Sequence, residues 1–382
     1  VHVALITDGV YPWMLGGIQR HTAMLAHHLA RAGARVTLLH SAATAEGRAK
    51  AAALEGFPAD VRDGIRSLVV EPVIPGRYPG HYVHDCRRYS RALLDRYQAE
   101  RVEADCIYAQ GLTGIEFVCA RHRKGTNLPP VGVHPHGLEM FQPAADWRSW
   151  AASLPLRRAM RAQCRRADWV FSFPGKIRGL VERECGVRPD RVVVTTNAVD
   201  SSWIVAERAV ATSRRRFVFV GRHERRKGMP ELLEAIHPLH GAGLEFHFVG
   251  PVPDDLRLRR DDVVYHGTVT DTRALQGILD AADVLLCPSW SEGMPTVVIE
   301  GMARGLAVLA TDVGATSRWV DAGNGILLPR PDVAALRAAI ERLWRMDAEG
   351  FQALQRESLA RARQSTWDAV AAATLRDLEA RL

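Results

Sequence analysis

Four short segments hold residue types at spacings suited to chemistry. The sharpest is Ser289–Gly305, SWSEGMPTVVIEGMARG. It follows the apolar run Val284–Cys287 and leads into a pattern of helical spacing. Pro295 suits the first helical position, where its missing N–H costs nothing. The N–H groups of Thr296 and Val297 then have no helical acceptor, and with the helix dipole they form a site for an anion such as a diphosphate. Glu292 stands just before this helix and Glu300 about one turn inside it. With one carboxylate on the loop and the other on the helix, both can face the hydroxyls of one ligand, such as a sugar and a ribose. The same pair also reads as a helix start favoured by the dipole, followed by a solvated glutamate.

The second segment is Gly221–Gly228, GRHERRKG, again directly after an apolar run. Arg222 and Lys227 can close on phosphate oxygens, one as a planar fork and the other as a point charge. Lys227 is one of only four lysines, with Lys50, Lys124 and Lys176, in a chain that otherwise writes arginine. That singles out the compact ammonium, although a solvated basic turn gives the same letters. The third segment is Gly16–Gly17, where backbone N–H groups can approach a phosphate or simply turn the chain. No GxGxxG is present, so a dinucleotide fingerprint is not supported. The fourth is His134–Glu139, HPHGLE, in which His136 precedes Gly137 at a strand end. An imidazole there can contact a sugar or its acceptor, or serve the structure alone. His134 and His136 bind a metal only with further ligands, and no third ligand is local.

Positioning these segments requires strands that alternate with helices. Val1–Thr7, Arg35–Leu39, Asp105–Tyr108, Val131–His134, Trp169–Phe173 and Val192–Thr195 read as strands. Helical spacing covers Ile18–Ala32, Gly111–Arg121 and Trp147–Ala167, the last interrupted at Pro155. The stretch Gly56–Tyr89, with Pro58, Pro72, Pro75, Gly76, Pro79 and Gly80, reads as irregular. A second series begins at Phe217–Val220 and continues through helix Met229–His240, strands Glu245–Val249 and Val263–His266, and helix Ala274–Ala281. Strand Val284–Cys287, helix Pro295–Arg304 and strands Ala307–Ala310 and Gly325–Leu328 complete it. The class is therefore α/β, with two Rossmann-like β/α/β domains built on parallel sheets. The boundary falls near Asn197–Ser213, giving domains 1–200 and 201–366. A final helix, 367–382, returns to pack on the N-terminal domain. Ligands of such sheets bind at the carboxyl ends of the strands, where all four segments lie.

The 382 residues suit about two domains. No apolar run approaches the ~18–20 residues of a membrane span, and no cleavage-type signal follows Val1–Thr7. The expected location is cytoplasmic, or peripheral at the inner face of the cell membrane. Six scattered cysteines without a CxxC pair read as reduced thiols. The net charge of +7 is concentrated in residues 1–200, so that half meets something anionic or carries a solvated basic surface.

Taken together and in order, the four segments resemble the retaining glycosyltransferases of family 4, with the GT-B fold of two Rossmann-like domains facing across a cleft. Glu292 and Glu300 match the family's E-x7-E, Arg222 and Lys227 its GR…KG, Gly16–Gly17 its N-terminal glycine pair, and His136–Gly137 its His-Gly. Thr196–Asp200, TNAVD, resembles the family's PNGVD, with Thr196 and Ala198 replacing its Pro and Gly. His266–Val269, HGTV, resembles the strand-end turn beside the nucleotide base. The resemblance spans essentially the whole chain.

It implies transfer of a sugar from a nucleoside-diphosphate sugar, with retention, to a glycan, lipid-linked or small-molecule acceptor. Glu300 is expected to hold the ribose, Glu292 and His136 the donor sugar, and Arg222 and Lys227 the departing diphosphate. Gly16, Gly17, Gly221, Gly293, Met294, Pro295, Thr296 and Val297 line the donor, and Thr268 and Val269 lie beside the base. Glu292 is expected to position and not to attack, because similar enzymes pass the acceptor proton to the leaving phosphate. No cofactor and no metal are expected. The acceptor belongs on the first domain, where Arg148, Arg157, Arg158, Arg161, Arg165 and Arg166, with Trp147, Trp150 and Leu154, form either a face for an anionic membrane or a solvated helix. An epimerase or phosphorylase of the same fold is the alternative reaction. A non-catalytic nucleotide- or RNA-binding protein is the alternative class, though no RNP-type aromatic signature supports nucleic acid.

Overall fold

The computed structural model describes residues 1–76, 81–208 and 214–382. Pro79 and Gly80 of the segment read as irregular, and positions 209–213 of the expected boundary, lie outside the described residues. The chain divides into two compact units. The first comprises Val1–Phe141, Trp150–Asn197 and Trp367–Leu382, and the second Gln142–Ser149 and Ala198–Thr366.

The first unit opens with β1 (His2–Ile6), α1 (Gly17–Arg31), β2 (Arg35–His40), α2 (Ala45–Ala52), α3 (Ala59–Arg62) and β3 (Ile65–Val69). It continues with α4 (His81–Ala99), β4 (Cys106–Gln110), α5 (Ile115–Arg121), β5 (Val131–His134), α6 (Trp147–Arg166, whose first three residues are grouped with the second unit), β6 (Trp169–Ser172), α7 (Lys176–Arg183) and β7 (Val192–Val194). Its seven strands form one parallel sheet in the order β3-β2-β1-β4-β5-β6-β7. Val3–Ile6 of β1 and all of β4 and β5 are buried, as expected of strands covered on both faces.

The second unit holds β8 (Arg215–Val220), α8 (Met229–Ile236), β9 (Leu244–Val249), β10 (Val263–Gly267), α9 (Thr272–Ala281) and β11 (Val284–Cys287). Then follow α10 (Thr296–Ala303), β12 (Ala307–Thr311), β13 (Gly325–Leu328), α11 (Val333–Trp344) and α12 (Ala348–Arg363). Its parallel order is β10-β9-β8-β11-β12-β13. Phe217, Phe246, Phe248, Leu286, Leu309 and Ile340 are among its core residues. Asp271, Asp332 and Asp347 cap α9, α11 and α12 by accepting a first-turn N–H. The last helix, α13 (Trp367–Glu379), belongs to the first unit, where Asp368 Oδ1 lies 2.8 Å from His28 Nδ1 of α1.

Four local expectations change. Helix α6 runs unbroken through Pro155. A proline there removes one backbone bond and costs about 3 kcal/mol, which buried Met160, Gln163 and Cys164 on the following turns help offset. The segment 56–89 contains α3, the edge strand β3 and the start of α4. Strand β3 escapes the pattern because its edge position leaves Arg66 exposed and Ser67 half-buried. Helix α5 starts at Ile115, since Gly111 turns the chain at φ +58°. Helix α8 stops at Ile236: His237 still has helical geometry and donates to the Leu233 carbonyl, but Pro238 has no N–H to continue the ladder.

Candidate functional site

In each sheet the strand order reverses once, and ligands of doubly wound sheets bind outside the strand carboxyl ends at that point. In the second unit the reversal lies between β8 and β11. The segments after these two strands are Gly221–Gly228 and Ser289–Glu292.

After β8 the chain makes a single 3-10 turn, Arg225–Lys227, ending at Gly228 with φ +69°. A Cβ on Gly228 would stand 1.8 Å from the Pro288 carbonyl oxygen, so only glycine lets the turn lie against the end of β11. The Trp290 N–H donates to the Arg226 carbonyl at 2.7 Å and ties the two loops together. Across this seam Lys227 Nζ donates to Glu292 Oε1 at 2.6 Å, and Arg226 donates to Glu292 Oε2 at 3.1 Å. Ser289 Oγ donates to Oε1 at 2.7 Å, while Gln142 donates to the Glu292 backbone carbonyl at 2.6 Å.

Glu292 is buried. Burial pushes its pKa up, but the charges of Lys227 and then Arg226, with the hydrogen bonds from Lys227 and Ser289, outweigh it and lower the pKa to about 2. The carboxylate is ionised, and its oxygens accept three side-chain hydrogen bonds. That arrangement positions two cations; it does not present a free nucleophile.

Arg222 stands apart from this cluster. Its side chain is 65% exposed and its guanidinium lies 2.8 Å from Glu224, not at Glu292. Arg226, which sequence reasoning passed over, occupies that position. Pro295 caps α10 at φ −67°, so the first helical residue is Thr296 and not Pro295. Thr296 and Val297 are half-buried at this N-terminus, and Glu300 is buried one turn further on. Gly221 leads out of β8. Gly293 and Met294 are buried in the loop before α10, where the Gly293 carbonyl accepts from Ala315 N–H. Thr268 and Val269 follow the bulged end of β10, two strands from β8.

In the first unit the reversal lies between β1 and β4. Gly16 precedes α1 and Gly17 is its first residue, both in the segment after β1. His136 follows β5 and is buried with φ +58°, as Leu138 is with φ +50°. Two non-glycine residues in the left-handed region mark a strained turn. His136 Nε2 donates to Gln110 Oε1 at the end of β4, 2.5 Å away. Burial and then nearby His21 hold the His136 pKa well below the usual imidazole range, so the ring is neutral. His21, which the sequence did not single out, meets the His136 ring edge-on at 5.0 Å between centroids.

Of the basic residues on α6, several bind their own surroundings. Arg157 donates to the Met140 carbonyl, Arg161 to Glu184 and Arg165 to the Cys185 carbonyl. Trp147, Trp150 and Leu154 stay exposed. No described helix is long and apolar enough to cross a membrane.

Two family models match the chain. A family model described as Glycosyltransferase Family 4 matches residues 15–203, and one described as Glycosyl transferases group 1 matches residues 214–346. The putative teichuronic acid biosynthesis glycosyltransferase TuaC of Bacillus subtilis is 39% identical over 125 residues, covering 33% of this chain and 32% of that protein. Alpha-maltose-1-phosphate synthase of Mycolicibacterium smegmatis is 30% identical over 202 residues, 46% of this chain and 52% of that one. The chain thus spans about a third to a half of the curated relatives it matches. Among solved structures, sucrose-phosphate synthase of Thermosynechococcus elongatus superposes with a TM-score of 0.78 over 100% of both chains at 19% identity. Anabaena HepE, solved in complex with UDP and glucose, superposes with a TM-score of 0.68 over 99% of both chains at 17% identity. At these identities the likeness shows the fold, GT-B, as the sequence leads one to expect.

Proposed function

This chain belongs to the family 4 glycosyltransferases, and from that premise we propose that it transfers a sugar from a nucleoside-diphosphate sugar to an acceptor with retention of anomeric configuration. The observation that carries the reading is the Lys227–Glu292–Arg226 cluster at the strand reversal of the second unit, beside the α10 N-terminus. Two fixed cations and a helix N-terminus suit a diphosphate. Buried Glu300, one turn into α10, suits the ribose hydroxyls.

In the proposed step the bond from the sugar's anomeric carbon to the phosphate oxygen breaks, and its electron pair goes to the phosphate. The acceptor oxygen attacks from the same face and gives its proton to that phosphate oxygen. Lys227 and Arg226 stabilise the developing charge, a role worth about 3–4 kcal/mol for one well-placed donor. Glu292 holds both cations in place and turns toward the donor sugar. This assignment asks for no metal at the diphosphate. Arg222, on the same loop, is proposed to meet the outer phosphate once it leaves Glu224. Gly16, Gly17 and His136 are proposed as further donor contacts, with neutral His136 offering hydrogen bonds to sugar hydroxyls.

A panel of nucleoside diphosphates and their sugars in thermal unfolding tests the reading. A ligand at about 100 times its dissociation constant adds roughly 2.7 kcal/mol. A cognate pair must stabilise the chain, and the sugar nucleotide must then be consumed with acceptor. Consumption without acceptor, yielding a changed sugar nucleotide, indicates the epimerase instead.

The α6 face is proposed as a peripheral contact with anionic lipid, near a lipid-linked acceptor. Trp147, Trp150 and Leu154 recur at helical spacing, are 73%, 50% and 43% exposed, and stand beside Arg148 and Arg158. Sedimentation with anionic vesicles at low salt tests this, and no binding there refutes it.

A further inference from the structure

Three imidazoles converge in the first unit: His21 from α1, His134 from the end of β5 and His136 just beyond it. The sequence shows His134 and His136 two residues apart with no third partner nearby; the fold brings His21 to them. One nitrogen from each ring lies within 4.8 Å of the other two. All three side chains are buried, with His136 the most open at 8%.

The opposite nitrogen of each ring is engaged by a neutral oxygen. His21 Nδ1 lies 2.7 Å from Asn197 Oδ1, His134 Nδ1 lies 3.0 Å from the Tyr108 hydroxyl, and His136 Nε2 lies 2.5 Å from Gln110 Oε1. An imidazole that donates its outer N–H to an oxygen keeps a lone pair on its other nitrogen, the arrangement in which metal-binding histidines are oriented. His21 Nε2 and His134 Nε2 are fully buried and have no hydrogen-bond partner among the described residues. Orphaned buried nitrogens are costly, and a pair of them facing a third imidazole calls for a ligand.

We propose that His21, His134 and His136 bind one divalent transition-metal ion of the imidazole-preferring class, such as zinc, nickel or copper. Three imidazoles leave one coordination position open to water or a hydroxyl. Zinc–nitrogen bonds of about 2.0–2.1 Å require the three nitrogens to draw together. The rings of His134 and His136 now stack 18° from parallel with centroids 3.9 Å apart, so one of them turns as the ion enters. Asn197, Tyr108 and Gln110 keep the outer nitrogens tied while this happens.

One consequence rests on the proposed function: His136 cannot hold the ion and a donor sugar at once, so an occupied site slows transfer. This ion is distinct from the diphosphate chemistry of the second unit, which asks for none.

The test uses the full chain, freed of metal by dialysis against a chelator. It is titrated with Co2+, read by visible d–d absorption, and with Zn2+, read by competition with a colorimetric chelator. One equivalent per chain is expected, with the absorption of a nitrogen-ligated ion. The double variant His21→Ala/His134→Ala loses that equivalent. Asn197→Ala keeps all three imidazoles and weakens binding about 10–100-fold. His21→Gln/His134→Gln replaces the alanine pair if that one does not fold. No bound equivalent overturns the proposal. So does an equivalent that the double variant retains, since the ion then sits elsewhere, for example at His247 and His266, whose Nδ1 and Nε2 lie 2.9 Å apart. If the ion binds as expected and transfer is unaffected, the metal site stands and the sugar-contact role of His136 falls.

Discussion

Lys227 Nζ lies 2.6 Å from Glu292 Oε1, joining two loops 65 residues apart at the strand reversal of the second unit. Both groups are withdrawn from water, and Arg226 completes the cluster. The pair links stability to chemistry, because the cations that suit a departing diphosphate also neutralise the buried carboxylate.

Glu292→Gln leaves Lys227 and Arg226 without their shared counter-charge. Removing one partner of a buried pair costs about 3–5 kcal/mol. Urea unfolding is expected to show a loss near the lower end of that range, since Ser289 can still donate to the amide oxygen.

The same pair sets an acid dependence. The folded pKa of Glu292, about 2, lies below its reference value of 4.5. A depressed carboxylate contributes stability that is fully present above the unfolded pKa and is lost as pH falls through the folded one. The stability gap between wild type and Glu292→Gln should therefore be constant above about pH 5 and shrink between about pH 4.5 and 2. A gap that widens on acidification contradicts the assignment.

Arg226 and Arg222 separate the structural reading from the motif. Arg226→Ala is expected to lower kcat by about 10²-fold or more, as loss of a fixed charge-stabilising donor does. Arg222→Ala, which removes an exposed pair with Glu224, should act mainly on donor KM and leave unfolding stability within about 0.5 kcal/mol. Steady-state kinetics on both variants distinguish them.

Gly228→Ala places a methyl 1.8 Å from the Pro288 carbonyl oxygen in a left-handed backbone. A cost of at least about 1–3 kcal/mol is expected, with a fall in kcat as the Lys227 turn moves off Glu292. Urea unfolding together with donor turnover reads both effects.

The two strand series were legible because buried parallel strands are continuous apolar runs, as in VLLC of β11 and AVLAT of β12. Helix α4 was not, since its buried residues begin only at Tyr89 and its first half is polar. Glu292 and Lys227 stood out through their place after strands. The role of Arg226 did not, because three consecutive basic residues do not reveal which of them the 3-10 turn directs toward Glu292. His21 was hidden for another reason: it sits on the buried face of amphipathic α1, 113 positions before His134, and only the sheet brings them together. Pro155 misled, because tertiary packing carried a helix past a local breaker.

The central claim is retaining transfer that depends on the Lys227–Glu292 pair. It is tested most directly by NMR of the anomeric proton of the product formed from the donor that stabilises the chain. The expected product keeps the donor's anomeric configuration, and Lys227→Ala forms it about 10²–10³-fold more slowly while remaining folded. An inverted product, or a folded Lys227→Ala chain that turns over at the wild-type rate, contradicts the account.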